Sequence, residues 1–258
     1  MPSNTIIYVP FDHAHPLHSL IQDASPCDGP LVDEAGDRLF QIRTADSQGH
    51  RSSASILINR MYATRGYFSS ALATQQLPSR ITLIASAAGI TIGTITIGFD
   101  SPLGLNADDP FINETTLLRE AGRNLCEFTK LAIDSLVRSK RVLACLFHVA
   151  YIYAHRMMHF DDLLIEVNPR HRRYYENMLG FEVKGGQRIN PRVNAPAVLL
   201  CLNFDHARAQ IALYGGRPEM GDDLRSLYPY FFSSAEEASI IDRLRRTQPD
   251  AAYTPQPQ

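Results

Sequence analysis

The sequence predicts one α/β domain built on a mixed sheet, and three segments predict it. Leu164 to Gly185 reads as a buried apolar strand, an abrupt Asn168-Pro169 stop, a tyrosine-bearing helix closed by Gly180, and a second strand. Ile81–Ala85 and Ile90–Ile97 are alternating β-branched runs parted by the small residues Ala87-Ala88-Gly89, the pattern of a β-hairpin. From Ser139 to Met158, the residues Val142, Leu143, Leu146, Val149, Ile152, Tyr153 and Met157 recur at helical spacing. That broad apolar stripe is shaped to lie on a sheet.

The remaining elements follow from the same periodicities. Leu39–Arg43 alternates as an edge or near-edge strand, and Ile56, Leu57, Ile58, Met61 and Tyr62 place a helix over Ser52–Met61, with Gly66 and Pro78 punctuating what comes next. A loop runs from Asp100 through Leu103–Glu114, followed by a short helix or turn over Thr115–Gly122 and a strand, Cys126–Leu131, with Glu127 inside it. Asp161–Val167 is the next strand, Arg170–Leu179 a helix, and Phe181–Val183 and Ala197–Asn203 two more strands. Residues 1–37, rich in Pro, His, Asp and Gly, read as an irregular arm before a domain over 38–203. Residues 204–258 form a C-terminal extension with the aromatic run Arg225–Ser234, a helix over Ala235–Arg246 and a disordered tail.

Composition bounds the function. The 258 residues, 45% hydrophobic, suffice for one substantial core. A net charge of −2 and a pI near 6.5 provide no concentrated basic face, so nucleic acid is not an expected partner. Cys27, Cys126, Cys145 and Cys201 are scattered without a CxxC pair, as in a reducing cytoplasm. The start of the chain lacks the basic-then-apolar pattern of an export signal, and His148, His155 and Arg156 interrupt the longest apolar helix, so no transmembrane segment is expected. His13, His15 and His18 have no companion ligands at a recognisable spacing, and no metal is expected.

The element order, with Asn168–Phe181 as a penultimate motif, resembles the GCN5-related N-acetyltransferase (GNAT) fold. More narrowly, IRTAD (Ile42–Asp46), MYATRGYF (Met61–Phe68), FDSPLGLNADDPF (Phe99–Phe111), CEFTKLAID (Cys126–Asp134) and VNPRHRRYYENMLGFE (Val167–Glu182) are similar to the long-chain N-acyl amino acid synthases, relatives of the acyl-homoserine lactone synthases. The resemblance spans about Leu39 to Asn203. It implies transfer of a fatty acyl group from acyl carrier protein to the α-amino group of an amino acid, with no tightly bound cofactor. The donor is then an acyl-phosphopantetheine, with acyl-CoA as the alternative.

The resemblance also implies site residues. Glu127, flanked by apolar side chains that favour its protonated form, is either the base for the ammonium or half of an ion pair with Lys130 or an arginine. Lys130 matches a Glu-x-x-Arg/Lys pair; on a regular strand the two side chains point to opposite faces, so direct pairing needs a bulge. Main-chain N–H groups at Leu131, Ala132 and Ile133, with Asn168, are implied to hold the acyl-pantetheine, left unpaired by divergence of two strands. Tyr175 is implied to protonate the departing thiolate, or else it packs its helix with Tyr174. Arg65 and Asp100 are implied at the acceptor site, with a surface arginine and a turn-initiating aspartate as the alternatives. The Gly-rich turn that holds a coenzyme pyrophosphate is missing from Asp134–Arg141, where Arg138, Lys140 and Arg141 are expected to meet an acidic carrier surface. Leu143, Leu146, Phe147 and Tyr151 line an acyl slot or belong to the core. An acyl-homoserine lactone synthase using S-adenosylmethionine, and a non-catalytic carrier- or lipid-binding module, are the competing readings.

Overall fold

The computed structural model describes residues 5–11, 39–67, 72, 77–137, 139–221 and 223–247. Among them, eight strands form one mixed sheet in the order β1-β2-β3-β4-β5-β6-β8-β7. The strands are β1 Thr5–Pro10, β2 Leu39–Thr44, β3 Arg80–Ala87, β4 Ile90–Phe99, β5 Leu125–Ile133, β6 Asp162–Val167, β7 Glu182–Asn190 and β8 Ala195–Asn203. Every neighbouring pair is antiparallel except β5 and β6. A parallel pair cannot be joined by a tight turn and needs a long crossover, which the helix α3 (Lys140–Tyr151) supplies.

Strand alternation sorts the helices into two layers. Leu83 and Ala85 pack toward α3, whereas Ile84 between them meets Ala54 of α1 (Gln48–Ala63) on the opposite face. Cys126 and Phe128 likewise face α3, while Leu125 and Leu164 face Phe111 of α2 (Asp108–Glu120). Helix α4 (Arg172–Leu179) ends on Gly180 in the left-handed conformation, φ 79°, and seats Leu179 in the α3-side core.

Three segments depart from the sequence expectations. Thr5–Pro10, assigned to an irregular arm, is a strand paired antiparallel with β2, so β2 lies one position in from the edge. Residues 12–38, with His13, His15 and His18, lie outside the described residues, as do Arg138 and residues 248–258. The expected loop over Leu103–Glu114 turns helical at Asp108, because the Asp108 carboxylate accepts the Leu105 N–H at 2.7 Å and two acids occupy the first turn. The third is α5 (Phe204–Tyr214), which has a capping Asn203 accepting from Asp205 and His206 N–H groups but a weak apolar stripe.

The C-terminal extension is core. Leu227, Tyr228, Phe231 and Phe232, followed by Ile240, Ile241 and Leu244 of α6 (Ser234–Thr247), bury against the outer flank of α3. His148 of α3 is fully buried; its Nδ1 accepts the Phe232 N–H at 2.9 Å, so its Nε2 carries the proton toward Glu237, 3.2 Å away. Burial lowers the His148 pKa and keeps the ring neutral, and Arg156 completes the cluster at 3.0 Å from Glu237. Past Tyr151 the helix widens into a π-helical turn, Ile152–Met157. Among the described residues no helix is long and apolar enough to cross a membrane.

Phe232→Ala empties a fully buried site that packs the extension on α3. Urea unfolding is expected to show a loss of about 3–5 kcal/mol.

Candidate active site

The parallel ladder between β5 and β6 covers only Leu125↔Asp162, Cys126↔Leu163 and Glu127↔Leu164. Both strands continue, β5 beside β4 up to Ile133 and β6 beside β8 up to Val167. They therefore part like the arms of a V. Its base is pinned by Arg123, whose Nε and Nη2 donate to Asp162 at 2.6 and 2.8 Å, and by Asn124 N–H to Asp161 at 2.9 Å. The expected divergence at Leu131, Ala132 and Ile133 is thus present, and all three line a cavity of about 780 Å³ that fills the opening.

One part of the cavity is charged. Arg80, Asn106, Thr129, Lys130, Glu166, Asn190 and Arg192 converge there. Across the sheet Arg80 of β3 pairs with Gly98 of β4, and Gly98 with Glu127 of β5. Gly98 has no side chain to stand between them: a Cβ there would come within 2.8 Å of Glu127 Cγ. The Glu127 carboxylate consequently lies over the sheet, with Oε2 accepting the Ala107 N–H at 3.1 Å and Oε1 3.2 Å from Arg80 Nη2, an ionic contact outside hydrogen-bond geometry. The next row, Thr82, Thr96 and Thr129, follows the same register, with Thr82 and Thr96 hydroxyls 2.8 Å apart and Thr129 Oγ1 buried without a hydrogen-bond partner.

Glu127 makes the ion pair with an arginine that was one of its two expected roles. It is 1% exposed and is not on the cavity wall, and its ion pair is with an arginine, Arg80. Burial raises its pKa while Arg80 and the backbone N–H groups oppose that shift. Lys130 stands on a β-bulge: the β4–β5 register shifts there, Lys130 has φ 50°, and Thr94 Oγ1 donates to its carbonyl at 2.8 Å. Burial and the neighbouring Arg80 lower its pKa.

The carboxylate that does reach the cavity is Glu166. Its Oε2 accepts from Asn190 Nδ2 at 2.7 Å and its Oε1 pairs with Arg192 Nη2. Burial pushes its pKa up to about 7, with Arg192 opposing and the Glu127 and Asp109 charges adding to the rise. Glu166 carried the same signal that singled out Glu127, an acid inside an apolar strand. Arg192, on the β7–β8 turn, carried none.

The other part of the cavity is apolar and aromatic. Leu143 and Phe147 of α3 line it with Tyr62, Ile165 and Tyr175, whereas Leu146 and Tyr151 are core. Tyr175 packs on Phe147 and Phe181, and burial raises its pKa well above the ordinary phenol value, keeping it protonated. Asn168 caps the turn into α4 through the Arg170 N–H at 3.2 Å and donates to Tyr67 Oη at 2.9 Å. Arg65 lines this part, donating to the Met61 carbonyl at 2.8 Å and influencing the phenols of Tyr62 and Tyr175.

Other expected residues are engaged elsewhere. Asp100 is not among the described residues lining the cavity; it accepts from Arg119 Nε and Nη2 at 2.6 and 2.9 Å, and the same guanidinium holds Asp108. That ion-pair network fixes the loop into α2. Arg141 Nη1 donates to the Tyr230 carbonyl at 3.3 Å, and Lys140 Nζ lies 5.5 Å from the Tyr230 ring centre, so both face the C-terminal extension. No described residue of that extension lines the cavity.

A family profile, N-acyl amino acid synthase FeeM, matches residues 53–203. The chain belongs to this family. The N-acyl amino acid synthase FeeM from uncultured soil microbes superposes with a TM-score of 0.59 at 28% identity, covering 66% of this chain and 93% of that one. The acyl-homoserine lactone synthase LasI (14% identity, TM-score 0.45, 64% and 88% covered) and a GNAT-family acetyltransferase from Streptococcus pneumoniae (16%, 0.45, 64% and 99%) are also similar in structure. Among curated proteins, none matches significantly. This member of the N-acyl amino acid synthase family is an N-acyltransferase.

In this N-acyl amino acid synthase, Gly98→Ala is expected to cost about 1–3 kcal/mol in urea unfolding, by overpacking against Glu127. In a Glu127→Ala background the same change is expected to be near neutral, a coupling that a double-mutant cycle reads directly.

Proposed function

We propose that this N-acyltransferase moves a long-chain fatty acyl group from the phosphopantetheine arm of acyl carrier protein to the α-amino group of an amino acid. The observation that carries this reading is one cavity with a charged part and an apolar part meeting where β5 and β6 separate. The thioester carbonyl lies at the separation, the acyl chain runs along Leu143 and Phe147, and the acceptor occupies the charged part. Main-chain N–H groups along Leu131–Ile133, beyond the last β5–β6 pairing, and the Thr129 hydroxyl, buried without a hydrogen-bond partner, stabilise the developing oxyanion. Tyr175, held protonated by burial, gives its proton to the departing thiolate.

The β5–α3 loop favours a carrier-bound donor over free coenzyme A. A pyrophosphate needs a glycine-rich cradle of N–H groups. Here the loop contains the buried acid Asp134, paired with Arg60 and accepting the Leu136 N–H at 3.0 Å, and α3 is capped by Ser139. Beyond the loop, exposed Arg170, Arg172 and Arg173 flank the rim residues His171 and Tyr174, a basic margin suited to an acidic carrier.

Thiol release from long-chain acyl carrier protein and from acyl-CoA, each against the twenty amino acids and S-adenosylmethionine, with mass spectrometry of products, tests the reading. Carrier-dependent release with one or a few amino acids, yielding an amide, is the expected result. A lactone product assigns the chain to the homoserine lactone chemistry, and silence with every donor leaves a binding module.

A further inference from the structure

Arg192 and Glu166 form a charge pair of unusual placement. Glu166 lies on β6 just beyond the last β5–β6 pairing, at the separation itself. Among the described residues lining the cavity it is the carboxylate. Its cationic partner stands on the turn between β7 and β8, one-third exposed, and holds Glu166, Asp109 Oδ2 at 2.6 Å and the Asn106 carbonyl at 2.5 Å with one guanidinium.

We infer that the acceptor binds by inserting its zwitterion into this pair, its α-carboxylate taking the Arg192 fork and its α-ammonium taking Glu166, which then removes the ammonium proton. The inference rests on the amino acid acceptor proposed above. Before binding, each charge satisfies the other, so neither is left buried and alone. Exchange conserves the charge: two ion pairs replace one, and the fork geometry of an arginine suits a carboxylate. The ammonium takes the place of Arg192 as the counterion of Glu166, and once it has given up its proton no cation from the pair is left to oppose protonation there.

The step balances. One ammonium proton passes to Glu166 Oε1, and the freed lone pair forms the C–N bond at the thioester carbonyl carbon. The C–S bond breaks and the thiolate takes the Tyr175 proton; the amide nitrogen retains one hydrogen, its second proton passes through solvent to restore Tyr175, and Glu166 returns its proton to solvent. An amine lacking the carboxylate leaves Arg192 on Glu166 and the base occupied, which makes the pair a selector for amino acids over simple amines.

The test uses the full chain with its best amino acid, the corresponding decarboxylated amine and a long-chain acyl carrier donor. For the wild type, kcat/KM is expected to rise with pH through an inflection near 7, since the base acts when deprotonated and burial places its pKa at about 7. Glu166→Gln is expected to lower kcat by about 10²–10⁴-fold and abolish that inflection, whereas Glu127→Gln retains it. Arg192→Gln is expected to lower the amino acid-to-amine ratio of kcat/KM by about 10–100-fold. That ratio and the inflection are read within one protein sample, so damage to folding does not mimic them. An inflection that survives in Glu166→Gln, or an unchanged ratio in Arg192→Gln, overturns the inference while the wild-type activity stands. A wild type that acylates no amino acid overturns the proposed function and the inference together.

Discussion

Three residue pairs hold β5 to β6, and then the two strands separate; the rest of the site depends on that short ladder. A sheet that lost these pairs would close over the gap or fall in two, and one that extended them would leave no opening. Arg123 and Asn124 lock the base through Asp162 and Asp161, so the separation begins at a defined residue. Beyond it, among the described residues, β5 pairs with β4 and β6 with β8, and their inner edges face the opening. An acyl thioester, with one carbonyl to polarise and two dissimilar ends, fits an opening that is charged on one side and apolar on the other.

The charged side is ordered by register more than by local sequence. Arg80, Gly98 and Glu127 align across three strands, and the missing side chain at Gly98 lets a carboxylate and a guanidinium meet above the sheet. Glu127 is thereby the counterion that fixes Arg80 at the cavity wall. Glu166 and Arg192 stand farther along the same face. Glu127 is paired with Arg80 and Glu166 with Arg192, so each of these buried carboxylates has an opposite charge beside it.

Much of this was legible in the chain. The β3–β4 hairpin, the central strand with Glu127 and the strand-stop-helix-strand run ending at Phe181 have strong periodicity and firm punctuation, and they are where the structure places them. The family resemblance is likewise borne out by the matching profile. What escaped depends on distant partners. Strand β1 is six residues long and is held by partners distant in sequence, β2 in the sheet and Arg243 of α6, which donates to the Ile6 carbonyl. The extension at 204–247 has no stripe strong enough to reveal that its aromatics complete the α3-side core. Asp100 looked like a turn residue or a site residue because nothing local announces Arg119, and Arg192 has no signal in sequence at all.

Helix α3 is gripped on both flanks. Leu143 and Phe147 face the cavity, while His148 is tied by hydrogen bonds to Phe232 and Glu237 on the other side. That cavity wall cannot recede without disturbing those bonds and the aromatic packing behind them. On the function proposed above, an acyl chain too bulky for the wall binds only by doing work against the docking of residues 227–244, so acyl-length selectivity and the stability of the C-terminal segment become thermodynamically linked. The segment behind the wall then acts as the spring constant of the ruler in front of it.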